Sequence, residues 1–144
     1  RPSGVYLNTA RARALGVEAE AGIDLLRGLR LAGIYSYVDA EARTTGLDLA
    51  RRPNHFGTIY ADWQSAFGLG LGADLRIVGP SWDNGANTNR LDGYELLDLR
   101  ASFGIGDNLE LFGRVENVFD TDYQTAAGYG TAGRSVFGGI RAKM

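Results

Sequence analysis

Apolar and polar residues alternate with a period of two along most of this chain, and that period predicts β-strands rather than helices. Residues 69–78 are the clearest case. Leu69, Leu71, Ala73, Leu75 and Ile77 share one face, and Gly70, Gly72, Asp74 and Arg76 share the other. Residues 95–105 repeat the pattern, with Leu97, Leu99, Ala101, Phe103 and Ile105 opposite Asp98, Arg100, Ser102 and Gly104. In residues 109–116, Leu109, Leu111, Gly113 and Val115 oppose Glu110, Phe112, Arg114 and Glu116. Residues 17–24 set Val17, Ala19, Ala21 and Ile23 against Glu18, Glu20, Gly22 and Asp24. A last stretch puts Val136, Gly138, Ile140, Ala142 and Met144 opposite Phe137, Gly139, Arg141 and Lys143. With residues 28–39 and 55–66, the pattern predicts about seven strands.

The connections alternate in length. Those near 25–28, 67–68 and 106–108 are tight, and those around 41–53, 79–92 and 119–133 are long. Outer-membrane barrels share this asymmetry, with short periplasmic turns and long outer loops, and strands of roughly ten residues suit a tilted crossing. No window approaches the roughly 20 apolar residues of a membrane helix, so any crossing is made by strands. Alternation alone leaves open whether the apolar face points outward to lipid or inward, as in a soluble lipocalin-like barrel. Two features favour lipid. Asp74, Arg76, Asp98, Arg100, Arg114, Glu116 and Arg141 lie mid-strand on the polar faces, where they suit a wet or plugged lumen as mixed-sign ladders. On the apolar faces Tyr35, Tyr37, Trp63 and Phe103 fall toward strand ends, as an interfacial aromatic girdle requires. The expected fold class is therefore all-β, an antiparallel transmembrane β-barrel segment. A small complete barrel of about eight strands remains an alternative.

Composition narrows the chemistry. Glycine, at 21 residues against 3 prolines, is about twice its average usage, as closely packed strands and turns permit. A net charge of −2, from 15 basic and 17 acidic residues, gives no field for nucleic acid. The absence of cysteine removes thiolate metal sites and thiol nucleophiles. His55 is the only histidine and is expected at a loop edge; no metal site, cofactor or catalytic residue is expected. Asp24, Asp74, Asp98 and Glu116 read as lumenal ion pairs rather than acid/base pairs. The glycines at 68, 70 and 72, and at 128, 130 and 133, do not stand between a buried strand and a helix, so they are not phosphate loops.

The last third carries a more specific signal. Val115-Glu116-Asn117-Val118-Phe119-Asp120-Thr121-Asp122-Tyr123, followed by Gly128-Tyr129-Gly130-Thr131-Ala132-Gly133-Arg134, resembles the C-terminal signature of TonB-dependent receptors. Tyr6-Leu7-Asn8 with Gly16-Val17-Glu18, then Tyr35-Ser36-Tyr37-Val38-Asp39-Ala40 and Arg52-Pro53, are similar to earlier segments of that family. The resemblance covers essentially the whole chain. Within the family the 128–134 segment looks closest to the vitamin B12 (cobalamin) transporters. One departure is Met144, where the family usually ends on an aromatic residue.

The resemblance implies a location in the outer membrane of a Gram-negative cell, in contact with its lipid. It also implies active uptake of a scarce nutrient, cobalamin or alternatively an iron-siderophore, energised by the TonB complex without chemistry on the ligand. It further implies a plugged barrel of about 22 strands. An odd number of crossings fits this, because a finished barrel has an even number. Residues 1–144 are thus expected to be its C-terminal part, with the plug, the TonB-contacting segment and the earlier strands elsewhere, and the fragment alone is not expected to transport. Ligand contacts are expected from the long loops: Trp82, Asp83, Asn84, Asn87, Asn89 and Arg90 in one, and Tyr123, Gln124 and Tyr129 in another. Asn117, Phe119, Asp120, Tyr123, Gly133 and Arg134 are expected to be structural, ending strands and fixing the last loop.

Overall fold

A strand must pair its backbone N–H and C=O groups, and one with an apolar face must also cover that face. In the computed structural model, which describes residues 11–142, the first demand is met by one antiparallel sheet. Its elements in chain order are β1 (Ala12–Leu26), β2 (Leu29–Ala42), β3 (Leu47–Asp48), β4 (His55–Gln64) and β5 (Leu69–Val78). There follow β6 (Ser81–Trp82), β7 (Arg90–Leu91), β8 (Tyr94–Ile105), β9 (Leu109–Glu116) and β10 (Ser135–Ala142). The sheet runs β1-β2-β4-β5-β8-β9-β10, each long strand beside the next in sequence. β3 pairs with the end of β2, and β6 and β7 form a separate ribbon inside the second long loop.

Register extends the alternation across the sheet. Leu75 faces Ile59 on one side and Leu97 on the other, Leu71 faces Trp63 and Ala101, and Val115 faces Leu99 and Val136. The result is one face, apolar along the middle of the strands, that the chain does not cover. Val136 is 74% exposed and Val17 65%, and the buried apolar side chains among the described residues are Ala40, Val78, Leu91 and Leu96.

The opposite face carries the charges. Asp24 lies 3.4 Å from Arg30, Arg114 lies 3.2 Å from Glu116, Arg100 bridges Asp62 and Asp74, and Arg141 holds Glu110. Phe137 and Phe112 share this face, their rings under the guanidinium groups of Arg114 and Arg141 at 4.5 and 5.4 Å. Asp98 corrects the expectation of ion pairs. Its carboxylate accepts the Asn117 backbone N–H at 2.8 Å, closing the end of β9 against β8.

Tight turns gather at one end and long connections at the other. At the first turn Gly28 has φ +80°, and a Cβ there would meet the Gln64 carbonyl oxygen at 2.1 Å, so only glycine fits. The third expected strand stops at Gln64 rather than residue 66. There the Ser65 hydroxyl accepts the Leu69 N–H at 2.8 Å and turns the chain.

β1 and β2 run farther than expected, to Ala12 and Ala42. Fifteen residues at about 3.3 Å each exceed what a tilted crossing needs. The excess carries Arg13 and Glu41 on the otherwise apolar face, 3.6 Å apart, which hides the strand from a hydrophobic pattern. Tyr35, Tyr37 and His55 cluster below that pair, with the Tyr35 hydroxyl 2.8 Å from His55 Nδ1. Trp63 and Phe103 lie toward the tight-turn end. Tyr6-Leu7-Asn8, Lys143 and Met144 lie outside the described residues.

Candidate functional site: the long-loop cap

Each long connection is too polar to pack on its own, and the three solve this by bonding to one another. The first, after β2, meets the second through Asp48 and Asn87. The Asp48 N–H donates to Asn87 Oδ1 at 2.9 Å, and Asn87 Nδ2 donates back to the Asp48 carbonyl at 3.1 Å. Asn87 holds φ +52°, a left-handed conformation that asparagine tolerates better than most residues. Trp82 Nε1 donates to the Asp48 carboxylate at 3.2 Å. The Arg51 N–H donates to the Trp82 carbonyl at 2.6 Å, and Arg51 Nε to Asp83 Oδ1 at 2.9 Å.

Asp83 also reaches the third connection, since its Oδ1 accepts the Ala127 N–H at 3.0 Å. These two donors, the Ala127 amide first and the Arg51 guanidinium second, hold its carboxyl below the ordinary carboxylate value. One carboxylate therefore fastens all three loops.

The third connection is braced from below. Asn117 is buried, holds φ +50°, and bonds Thr121 in both directions at 2.9 and 3.0 Å. Asp120, at φ +54°, accepts the Arg134 N–H at 2.7 Å, and Gly133 packs so closely that a Cβ would lie 2.8 Å from Asp120 Oδ1. The Tyr123 ring packs against Tyr94 with centroids 4.3 Å apart and planes tilted by 33°, and Phe119 stands 63% exposed. The loops are thus held over one end of the sheet as a cap.

A model of the family described as TonB dependent receptor-like, beta-barrel, matches residues 1–118. The chain belongs to this family of TonB-dependent receptor β-barrels. Solved receptors share its fold. The ferric citrate transporter superposes with a TM-score of 0.82 at 23% identity, over 92% of this chain and 24% of that one. The ferric preacinetobactin receptor of Acinetobacter baumannii gives 0.79 at 23% identity, over 91% and 22%. The ferric enterobactin receptor of Pseudomonas aeruginosa gives 0.79 at 22% identity, over 94% and 23%. The chain spans about a quarter of the length of these receptors.

As a TonB-dependent receptor barrel segment, the chain is an outer-membrane protein of a Gram-negative cell. Its apolar face is the lipid face, its charged face lines the lumen, and its long connections are the outer loops. Inward apolar packing of the lipocalin kind is excluded. Family members and structural neighbours are transport receptors rather than enzymes. Among the described residues no group of three or more His, Cys, Asp or Glu could hold a metal ion.

The fold divides the loop residues singled out in the sequence. Trp82, Asp83 and Asn87 spend polar atoms on fastening loops together, and Asn84 spends its amide on Thr88 at 2.8 and 3.0 Å. Asn89, Arg90, Gln124 and Tyr129 stand exposed. Tyr123 and Gln124 line a cleft of about 330 Å³ together with Arg90 and Asp92. Sequence reasoning did not single out Asp48, Arg51 or Tyr94. The bonds of Asp48 and Arg51 link residues 32 to 39 positions apart, and no local pattern signals them.

Proposed function

We propose that residues 1–144 form the C-terminal part of the barrel of an outer-membrane receptor that takes up a ferric siderophore. The plug and the earlier strands belong to the rest of the full protein, and the TonB complex, acting through that N-terminal part, drives uptake without altering the ligand. The observation that carries this reading is the cap of mutually bonded outer loops, which leaves Asn89, Arg90, Gln124 and Tyr129 presented above the lumen wall.

Iron is favoured over cobalamin for two reasons. The solved receptors that share the fold are named for ferric citrate, ferric preacinetobactin and ferric enterobactin. The Thr131-Ala132-Gly133-Arg134 segment, which suggested cobalamin, serves the fold: the Thr131 hydroxyl donates to the Tyr123 carbonyl at 2.7 Å, and Arg134 bonds Asp120 and Val118. Such contacts place a loop whatever the ligand.

The test is uptake by the full-length receptor in cells lacking their own ferric and cobalamin receptors, with and without TonB. Radiolabelled ferric siderophores are expected to accumulate only with TonB. Accumulation of labelled cyanocobalamin without iron would replace the iron reading by the cobalamin one.

A further inference from the structure

Of the asparagines in the chain only Asn84 precedes a glycine, and the pair sits in the second outer loop, Asn84 half-exposed and Gly85 exposed. The turn they begin is closed by the Asn87 N–H, which donates to the Asn84 carbonyl at 3.1 Å, while Asn87 Nδ2 donates to the same oxygen at 3.2 Å. Among the described residues the Gly85 N–H has no hydrogen-bond partner. No atom beyond its chain neighbours lies within 4 Å of where a Cβ would stand. The nitrogen after Asn84 is therefore both unengaged and uncrowded. It is also tethered beside the Asn84 side-chain carbonyl, so attack on that carbonyl is an intramolecular step, and glycine leaves the backbone free to reach it.

Thr88 contacts both ends of the amide that would react. Its N–H donates to Asn84 Oδ1 at 3.0 Å, the oxygen on which negative charge develops as the carbonyl is attacked. Its hydroxyl lies 2.8 Å from Asn84 Nδ2, the nitrogen that leaves.

We propose that Asn84 is a self-modification site, at which the side-chain amide is lost to deamidation with Thr88 assisting. The Gly85 N–H gives its proton to hydroxide, and its nitrogen bonds Asn84 Cγ. The Cγ–Nδ2 bond breaks and ammonia departs, taking a proton from the Thr88 hydroxyl, which recovers one from water and so restores the hydroxide. A succinimide ring remains, and water opens it. Opening at Cγ leaves an aspartate, and opening at the main-chain carbonyl leaves an isoaspartate, whose chain runs through the former side chain. The balance is an amide and water giving a carboxylic acid and ammonia, with no oxidant or cofactor.

The isoaspartyl link adds a methylene between Asp83, which fastens three loops, and Asn87, which bonds Asp48. It also turns the carbonyl that both Asn87 bonds use into a free carboxylate. Modification therefore loosens the clasp between the first and second outer loops as the receptor ages, whatever ligand it takes up.

The experiment holds the full-length receptor, folded in detergent, at mildly alkaline pH for days, with the same receptor unfolded in urea as the reference. Heat-modifiable mobility on a gel reports folding. Peptide mapping by mass spectrometry locates the change, and an isoaspartyl-specific methyltransferase distinguishes its product. Folded wild type is expected to form isoaspartate at Asn84 at least as fast as the unfolded chain. Gly85→Ala should slow this roughly tenfold or more. Thr88→Val, which keeps the N–H and lacks the hydroxyl, should slow it severalfold in the folded receptor and not in the unfolded one. Converted receptor should be cut by trypsin after Arg51 faster than fresh receptor. Absence of isoaspartate at Asn84 in the folded receptor, while the unfolded chain forms it, overturns the proposal. Equal rates for folded wild type and folded Thr88→Val overturn the part given to Thr88, and unchanged cleavage after Arg51 overturns the loosening of the clasp.

Discussion

Asp48 and Asn87 bond each other in both directions, 39 residues apart, so that a side-chain amide in the second outer loop replaces a strand partner for the first. Asn87 is the better half of this pair to remove. Asn87→Ala loses both bonds and leaves an alanine at φ +52°, a conformation an L residue holds at a cost, without the amide that offset it. We expect the first loop to loosen by about 1–3 kcal/mol. Limited trypsin digestion of the full receptor should show faster cleavage after Arg51, with the strands intact; an unchanged rate would count against the clasp.

Asp83 makes the cap sensitive to acid in a defined direction. Its carboxyl is held below the ordinary value of 3.8 by the Ala127 amide and Arg51. A depressed value means that its contribution is complete above the ordinary value and disappears as pH falls through the lowered one. Spin labels at the exposed Thr44 and Thr125 should therefore report a constant inter-loop distance from neutral pH to about pH 4, with separation only below that. Asp83→Asn should broaden the distance distribution at neutral pH, because Arg51 loses its charged partner.

Leu99 lies midway along β8 on the lipid face, between Ala73 and Val115. Leu99→Arg should destabilise the full barrel by about 2–4 kcal/mol, the usual cost of a cation at the bilayer midplane. Urea titration of folding into lipid vesicles measures it. Ser102→Thr, on the lumen face of the same strand, should cost under about 1 kcal/mol by the same assay.

Asn117 combines burial, a positive φ and side-chain bonds to Thr121, while its own N–H is taken by Asp98. Asn117→Gly keeps the backbone conformation but drops the side-chain bonds; Asn117→Ala loses both. The expected order of stability is wild type, then glycine, then alanine, with alanine lower than wild type by about 2–4 kcal/mol. An alanine variant as stable as the glycine one would show that the turn is not strained.

The seven long strands were legible because lipid on one side and charge on the other impose a two-residue period, as in Leu69 to Ile77. Legibility failed where the chain leaves the bilayer. Arg13 and Glu41 continue the strands in water, where nothing demands an apolar face. The ribbon of β6 and β7 is two residues on each side, too short for any period. At the loops, Asn87, Asn117 and Asp120 are residue types that favour left-handed turns, whereas Arg51 adopts φ +58° only because the Trp82 carbonyl and Asp83 hold it. Asp98 shows the same limit. Its alternation assigns it to the lumen correctly, yet its partner is a backbone amide 19 positions away rather than a cation.

Fastening loops to one another at their bases has a bearing on where this receptor can vary. Asn84 to Thr88 closes a small turn whose tip stands clear, and Gly130 follows the turn closed by Ala126 and Tyr129: a side chain added at Gly85 or Gly130 would touch nothing within 4 Å. Asp48, Arg51 and Asp83 have no such latitude: a change in Asp48 or Arg51 leaves partners in the second loop unsatisfied, and a change in Asp83 does so in both the first and the third. Substitutions should therefore accumulate singly at the tips and in matched sets at the bases. A label or epitope placed at Gly85 or Gly130 reads out the exterior without disturbing the clasp beneath.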